Sequence, residues 1–349
     1  MPIMMVDVNR QRLIGARLLV PDAVLLATHH ANIYEGCEYG CVFCEGWAHI
    51  QRPFNESVRM MGHLAEVAQR ELADIPAHEI VALQGVSDPY QPAEQQFRRT
   101  QTMLKVMARL QRPVALMTRS VAVADDIPLL QYIHQHAFAL VVVSVASHAR
   151  DVVDIVEPKC APTSERLELV RRLRDAGIPV GVMVSPLVPY LNDTDYALRM
   201  LLEQIQAAGA SFVHWEYVRI PHQRVQERLI GAVMRTNGFS ATYLRDLYAN
   251  TAVVDARYAQ ERNHVVAQMC DELHLPTHLP YEYFRGRLSL EHEIAMVLLH
   301  HANRDEWYGR STLASQARAL AADVMRGTWQ LDELQKHPSY ALFQERINR

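Results

Sequence analysis

Three of the five cysteines fall within eight residues, Cys37, Cys41 and Cys44, in the run Asn32-Ile33-Tyr34-Glu35-Gly36-Cys37-Glu38-Tyr39-Gly40-Cys41-Val42-Phe43-Cys44. Thiolates bind soft metals and iron–sulfur clusters, and one compact loop can bring three sulfurs to three corners of a cubane. A [4Fe–4S] cube held by three protein ligands leaves one iron open to chelate a substrate or cofactor. A second reading is zinc, with Cys37, Cys41, Cys44 and His49 as a Cys3His set. Against it, small zinc modules use paired C-x2-C spacing, and nothing in the chain repeats. Disulfides fit poorly with an odd cysteine count and no visible secretory segment.

A cluster loop needs a scaffold, and the surrounding pattern supplies one. From about residue 23 to 220, short apolar runs alternate with amphipathic stretches, which predicts βα units and a parallel sheet. The expected strands are Val24–His29, Glu79–Gln84, Pro113–Thr118, Ala139–Ser147, Pro179–Ser185 and Ser211–Val218. Helices are expected near 56–73, 93–110, 122–136, 163–176 and 194–208. The run Leu140-Val141-Val142-Val143-Ser144-Val145 is apolar on both faces, as in a strand covered on both sides. Gly177 and Gly209 stand where helices end, and Asn192-Asp193-Thr194 offers caps for the helix that follows.

Six such units predict an α/β fold, a partial (β/α)6 TIM-type barrel whose chemistry gathers at the C-terminal strand ends. The cysteine loop begins just after the first expected strand and falls on that face. Beyond Pro221 the pattern becomes helical, at Val225–Asn250, Asp255–Leu273, Leu288–His301, Ser311–Met325 and Leu331–Gln335, with an aromatic connector over 275–286. The expected division is therefore a barrel with its N-terminal lead-in over 1–220 and a helical C-terminal extension over 221–349 that closes it.

Composition sets limits on partners. At 349 residues, 49% hydrophobic and 21% charged, the chain can bury a full core. No signal-peptide pattern opens it, and no apolar run approaches the roughly 20 residues of a membrane span, so a cytoplasmic protein is expected. The net charge of −4 leans against a nucleic-acid substrate. Arg98-Arg99 and Arg171-Arg172-Leu173-Arg174 are the nearest basic runs, and both sit in helical patterns.

The spacing C-x3-C-x2-C, with an aromatic before the last cysteine, resembles the cluster loop of the radical S-adenosylmethionine superfamily. The Asn-x-Tyr-x-Gly-Cys lead-in resembles its spore photoproduct lyase-like branch. So do Gln84-Gly85-Val86-Ser87-Asp88-Pro89-Tyr90-Gln91-Pro92, Glu157-Pro158, and Pro186-Leu187-Val188-Pro189-Tyr190-Leu191-Asn192-Asp193. The resemblance covers residues 30–220 in ordered blocks and touches Leu279–His300. The chain departs from the pattern at Ile33, Gln84 and Arg119, where the branch has proline, a small residue and lysine.

The resemblance implies a [4Fe–4S] cluster on Cys37, Cys41 and Cys44, with S-adenosylmethionine chelated at the open iron. One electron, from a donor such as flavodoxin or ferredoxin, would break a sulfonium C–S bond. The resulting 5′-deoxyadenosyl radical would abstract hydrogen from a small-molecule or peptide substrate. A nucleic-acid lesion lyase working by the same initiation is the alternative, and a zinc-stabilised binding module is the third reading. For cofactor binding the expected residues are Phe43 beside the adenine, Gly85 and Ser87 near the methionine amino group, Asp88 next to them, and Ser144 and Ser147 for ribose or carboxylate. Arg166 is expected to grip the methionine carboxylate. Cys160 is the expected catalytic thiol, a hydrogen-atom donor, and Cys270 is expected to be structural. On the last strand His214, Glu216 and Tyr217 compete for the pocket, since alternation turns only one face inward.

Overall fold

The computed structural model describes residues 4–8, 12–49, 54–235, 237–249 and 251–347. Its main sheet has six parallel strands in the order β2-β5-β6-β7-β8-β9. They are β2 (His29–Ala31), β5 (Val81–Leu83), β6 (Val114–Thr118), β7 (Ala139–Val145), β8 (Val180–Leu187) and β9 (Phe212–Tyr217). A second sheet joins β1 (Met4–Val8), β4 (Ser57–Met61) and β3 (Tyr34–Glu35).

Side chains alternate between two cores, as the pleat demands. Val81, Leu83, Val114, Leu116, Val141, Val143, Val180 and Val182 pack outward beneath helices Leu64–Ala73, Arg99–Arg109, Ile127–His136, Thr163–Asp175 and Asp195–Ala208. Ala82, Ala115, Leu140, Val142, Met183 and Phe212 face the concave side. There the Phe212 ring presses on Gly181, where a Cβ would stand 2.3 Å from it. The concave core is completed by Leu279, Phe284, Ile294, Met296, Leu298, Ala321 and Val324, so helices Leu290–Trp307 and Ser311–Arg326 seat against the inside of the open barrel. This is an α/β partial barrel with a helical C-terminal region.

Several boundaries differ from expectation. The first barrel strand lies at His29–Ala31, not Val24–His29. Val24–Ala27 instead form a buried turn in the concave core: Asp22 Oδ1 accepts from the N–H groups of Val24 and Leu25, Leu26 has φ +57°, and its carbonyl contacts His292 Nε2 at 2.8 Å. An apolar run that is buried on every side need not be a strand. The helix expected over 56–73 is strand β4 followed by a helix from Leu64, separated by Gly62 and His63. Arg98, at φ +49°, breaks the 93–110 helix in two. Helices Arg150–Val156 and Tyr340–Ile347 were not expected. The stretch from Val225 holds two helices, Gln223–Met234 and Gly238–Leu247, with the Asn237 side chain capping the second; its expected end, Asn250, lies outside the described residues. Gly177 and Gly209 end their helices at φ +74° and +76°, and the Thr194 side chain caps the helix Asp195–Ala208. Among the described residues, no helix is long and apolar enough to cross a membrane.

Candidate cofactor-binding site

At the C-terminal strand ends lies a cavity of about 390 Å³. Cys37, Cys41 and Cys44 line it, with Gln84, Gly85, Val86, Ser87 and Asp88 after β5, Met117 and Arg119 at the end of β6, and Glu216 on β9. All three thiols are free, and Cys37 and Cys41 are buried.

The cysteine loop is pinned by its backbone. Cys37 N–H donates to the Phe54 carbonyl at 3.0 Å, Glu38 N–H to Gln91 Oε1 at 2.9 Å, and Val42 N–H to the Val156 carbonyl at 3.1 Å. Gln91 Nε2 returns a bond to the Gly36 carbonyl at 3.0 Å, and Trp47 Nε1 donates to the Cys41 carbonyl at 2.9 Å. Gly36 has φ +99°, and a Cβ there would stand 2.3 Å from the Ser57 carbonyl oxygen, so only glycine fits.

The donor set suits an iron–sulfur cluster. Burial, then Asp88, raises the Cys37 thiol well above its ordinary range, and burial, then Cys41, pushes Cys44 up to about 12. Such sulfurs become thiolates when a bound cation supplies the compensating charge. The three ligating atoms that come within 4.8 Å of one another, among the described residues, belong to Cys41, Glu157 and Cys160, not to the loop trio. A single tetrahedral zinc would bring its sulfurs to about 3.8 Å of one another.

Other cavity residues are prepared for a ligand. The Ser87 hydroxyl is buried without a hydrogen-bond partner, as is Gln84 Oε1, and buried polar atoms in native proteins rarely stay unpaired. Gly85 lines the cavity and packs closely on Asn32, where a Cβ would stand 2.6 Å from Oδ1. Asp88 lines the wall but spends its oxygens on the scaffold. Its Oδ1 accepts from Tyr90 N–H at 2.8 Å and Thr118 Oγ1 at 2.6 Å, and Oδ2 accepts from Arg119 N–H at 2.7 Å. Burial raises its carboxyl, and these bonds oppose the rise.

The remaining expected residues stand elsewhere. Ser144 is fully buried in β7 and points its hydroxyl at the Ser185 carbonyl, 3.4 Å away. Ser147 Oγ accepts from Ala149 N–H at 3.1 Å, holding the turn into helix Arg150–Val156. Neither lines the cavity. Arg166 is entirely buried: it donates to the Ala161 carbonyl at 2.8 Å, the Ser144 carbonyl at 2.7 Å and Glu157 Oε1 at 2.5 Å. The guanidinium that does reach the cavity is Arg119, which stands over the Phe43 ring at 5.1 Å. Burial works against its charge, but Cys41 as a thiolate and the Glu157 carboxylate hold it firmly cationic. In the sequence its signals were its position, one residue past an apolar strand, and its place among the departures from the resembling branch, which has lysine there.

Glu216 opens onto the cavity, and its carboxyl is raised by burial first and Asp22 second. His214, two residues earlier on the same face, is buried against the rings of His278 and Trp307. Tyr217 turns the other way and donates to Asp193 Oδ2 at 3.1 Å. Cys160 is buried beside Cys41, with the two Sγ atoms 4.0 Å apart. Cys270 is buried in helix Ala256–Glu272.

Comparison with known proteins agrees with this geometry. Residues 31–201 match the family model described as the Radical SAM superfamily. An uncharacterised protein of Mycobacterium tuberculosis is 31% identical over 209 residues, 56% of this chain, and the match spans only 60% of that relative's length. An uncharacterised protein of Acidianus two-tailed virus is 22% identical over 260 residues, covering 70% of this chain and 79% of the viral protein. Spore photoproduct lyase complexed with a dinucleoside spore photoproduct shares the fold at TM-score 0.56 and 15% identity, over 77% of this chain and 79% of the lyase. A variant of that lyase with bound AdoMet superposes at TM-score 0.51 and 15% identity, over 74% of this chain and 77% of its own. With three cavity thiols on a partial barrel and a family match spanning that loop, residues 31–201 form a domain of the radical SAM superfamily, whose cofactors are a [4Fe–4S] cluster and S-adenosylmethionine.

Proposed function

We propose that the chain is a radical S-adenosylmethionine enzyme acting on a small molecule or peptide, with an electron donor of the flavodoxin or ferredoxin type. When bound, the cofactors supply a carbon-centred radical that takes a hydrogen atom from substrate. The residues of the chain then have separate tasks. Cys37, Cys41 and Cys44 hold the cluster. Gly85 and Ser87 offer backbone and hydroxyl to the methionine end, Phe43 offers a face to the adenine, and Arg119 is the cation available to a carboxylate. Asp88 fixes the β5 and β6 loops that carry them. Glu216 stands at the last strand as a substrate contact. Residues 1–220 carry this machinery and 221–349 close the barrel that keeps it dry.

The carrying observation is that three free thiols, an unpartnered Ser87 hydroxyl and a charged Arg119 line one cavity. Reconstituted, dithionite-reduced protein is expected to release 5′-deoxyadenosine from S-adenosylmethionine, measured by mass spectrometry. Cys41→Ala is expected to abolish it; undiminished release in that variant would remove the assignment.

A nucleic-acid lesion is the second substrate class, supported by the lyase's fold and its dinucleoside ligand. It requires affinity for lesion DNA that falls steeply with salt, through counterion release. The net charge of −4 favours the first class.

A further inference from the structure

Cys160, Cys41 and Glu157 form a buried group whose sulfur and oxygen atoms lie within 4.8 Å of one another, and of the three Cys41 alone lines the cavity. A fully buried group of this kind invites three explanations. A second metal ion is the first, and charge argues against it. Glu157 already accepts from Arg119 Nε at 3.1 Å and Arg166 at 2.5 Å, so a divalent ion would face two guanidiniums. A substrate-facing thiol is the second, but Cys160 is not among the residues that line the cavity. The third is a contact made to the cluster ligand itself.

Metal binding decides who donates. Cys160 Sγ and Cys41 Sγ are 4.0 Å apart, and either could carry the proton when both are thiols. Once Cys41 binds iron it is a thiolate with no proton. The only S–H left between the two sulfurs is then that of Cys160. Its backbone is fixed for the purpose: Cys160 N–H donates to the Glu157 carbonyl at 3.0 Å, in the turn that ends helix Arg150–Val156.

We propose that Cys160 is a positioning residue that donates an S–H···S hydrogen bond to the cluster ligand Cys41 and raises the reduction potential of the cluster. Hydrogen bonds to cluster sulfurs withdraw negative charge and favour the reduced state, which carries one electron more. No bond breaks and no proton moves; the electron comes from the external donor. The inference rests on the cluster assignment to Cys37, Cys41 and Cys44.

The test is a redox titration of the anaerobically reconstituted protein, following the EPR signal of the reduced cluster with dithionite as reductant, for wild type, Cys160→Ala and Cys160→Ser. The expected result is unchanged iron and sulfide content, a more negative midpoint for Cys160→Ala, and recovery of most of that shift in Cys160→Ser, whose hydroxyl can donate. Three equal midpoints would overturn the proposal. Equal shifts in Ala and Ser would overturn it too, because they would trace to packing rather than to a donor. Loss of iron from either variant would make Cys160 a ligand or prop and end the proposal in that way. Wild type that takes up no iron would instead sink the cluster assignment itself, a separate outcome.

Discussion

Arg119, partly exposed in the cavity, pairs with the fully buried Glu157, Nε to Oε2 at 3.1 Å, and the second carboxylate oxygen is held by the fully buried Arg166. The carboxylate thereby aims one guanidinium at the ligand space and anchors it to another. Removing the charge at the centre of such a chain leaves two cations without their partner, and breaking buried pairs costs about 3–5 kcal/mol. Glu157→Gln is expected to lose stability on that scale in urea unfolding of the cluster-free protein. A loss under about 1 kcal/mol, the scale of exposed pairs, would show that the chain is solvated.

Arg119 itself is expected to act on ligand affinity. Arg119→Lys keeps the charge but loses the planar fork. The apparent KM for S-adenosylmethionine should rise about tenfold, the scale of roughly 1.4 kcal/mol, with iron content unchanged. A KM equal to wild type would place the carboxylate elsewhere.

Gly36 and Gly177 make a controlled comparison. Both have positive φ, but a Cβ at Gly36 would meet the Ser57 carbonyl at 2.3 Å, while one at Gly177 meets nothing within 4 Å. Gly177→Ala is expected to cost about 1–3 kcal/mol, the scale of αL strain, and to load iron normally. Gly36→Ala must move the backbone that carries Cys37 and is expected to load less than half the iron. Equal loading of the two variants would contradict the tight-turn argument.

The histidines beneath the barrel predict an acid limb. Burial lowers His214 to about 4 and His300 to about 3, and takes His278 well below its ordinary value. Facing them are the carbonyl of Ala23 on His300, the carboxylate of Asp22 near His214, and His301 and Arg304 from the same helix. In the unfolded chain these imidazoles take protons as pH falls through about 6.5, while the folded ones stay neutral. The unfolded state therefore binds more protons between pH 6.5 and about 4, and stability drops as pH falls through that window. Thermal melts of the cluster-free protein should show it, and His300→Gln should flatten the slope. A flat melt profile from pH 7 to 5 would count against buried neutral histidines.

What could be seen in the chain before folding follows from how local each feature is. The cysteine loop was visible because its spacing is covalent and its chemistry needs no distant partner. Strand β7 was visible because its residues are apolar on both faces, and the helix ends at Gly177 and Gly209 because left-handed backbone favours glycine. The misplaced strand at Val24 had the same apolar signal as a real one; what differs is a turn set by Asp22 and a helix arriving from position 292. Arg166 and Arg119 show the same limit. Both are strand-end or helix-start arginines, and only the buried Glu157 between them determines which one is consumed inside the protein and which one faces the ligand. Ser147 similarly found a partner in nearby backbone, as small polar side chains often do, and Ser144 found one on the neighbouring strand β8.

The contact between His292 and the Leu26 carbonyl joins residues 266 positions apart. A polypeptide emerging from the ribosome would have its sulfur-bearing loop outside long before the helix that finishes the interior. Non-local closure of this kind is slow. Iron delivery is accordingly expected after synthesis, onto a nearly finished chain, rather than during translation.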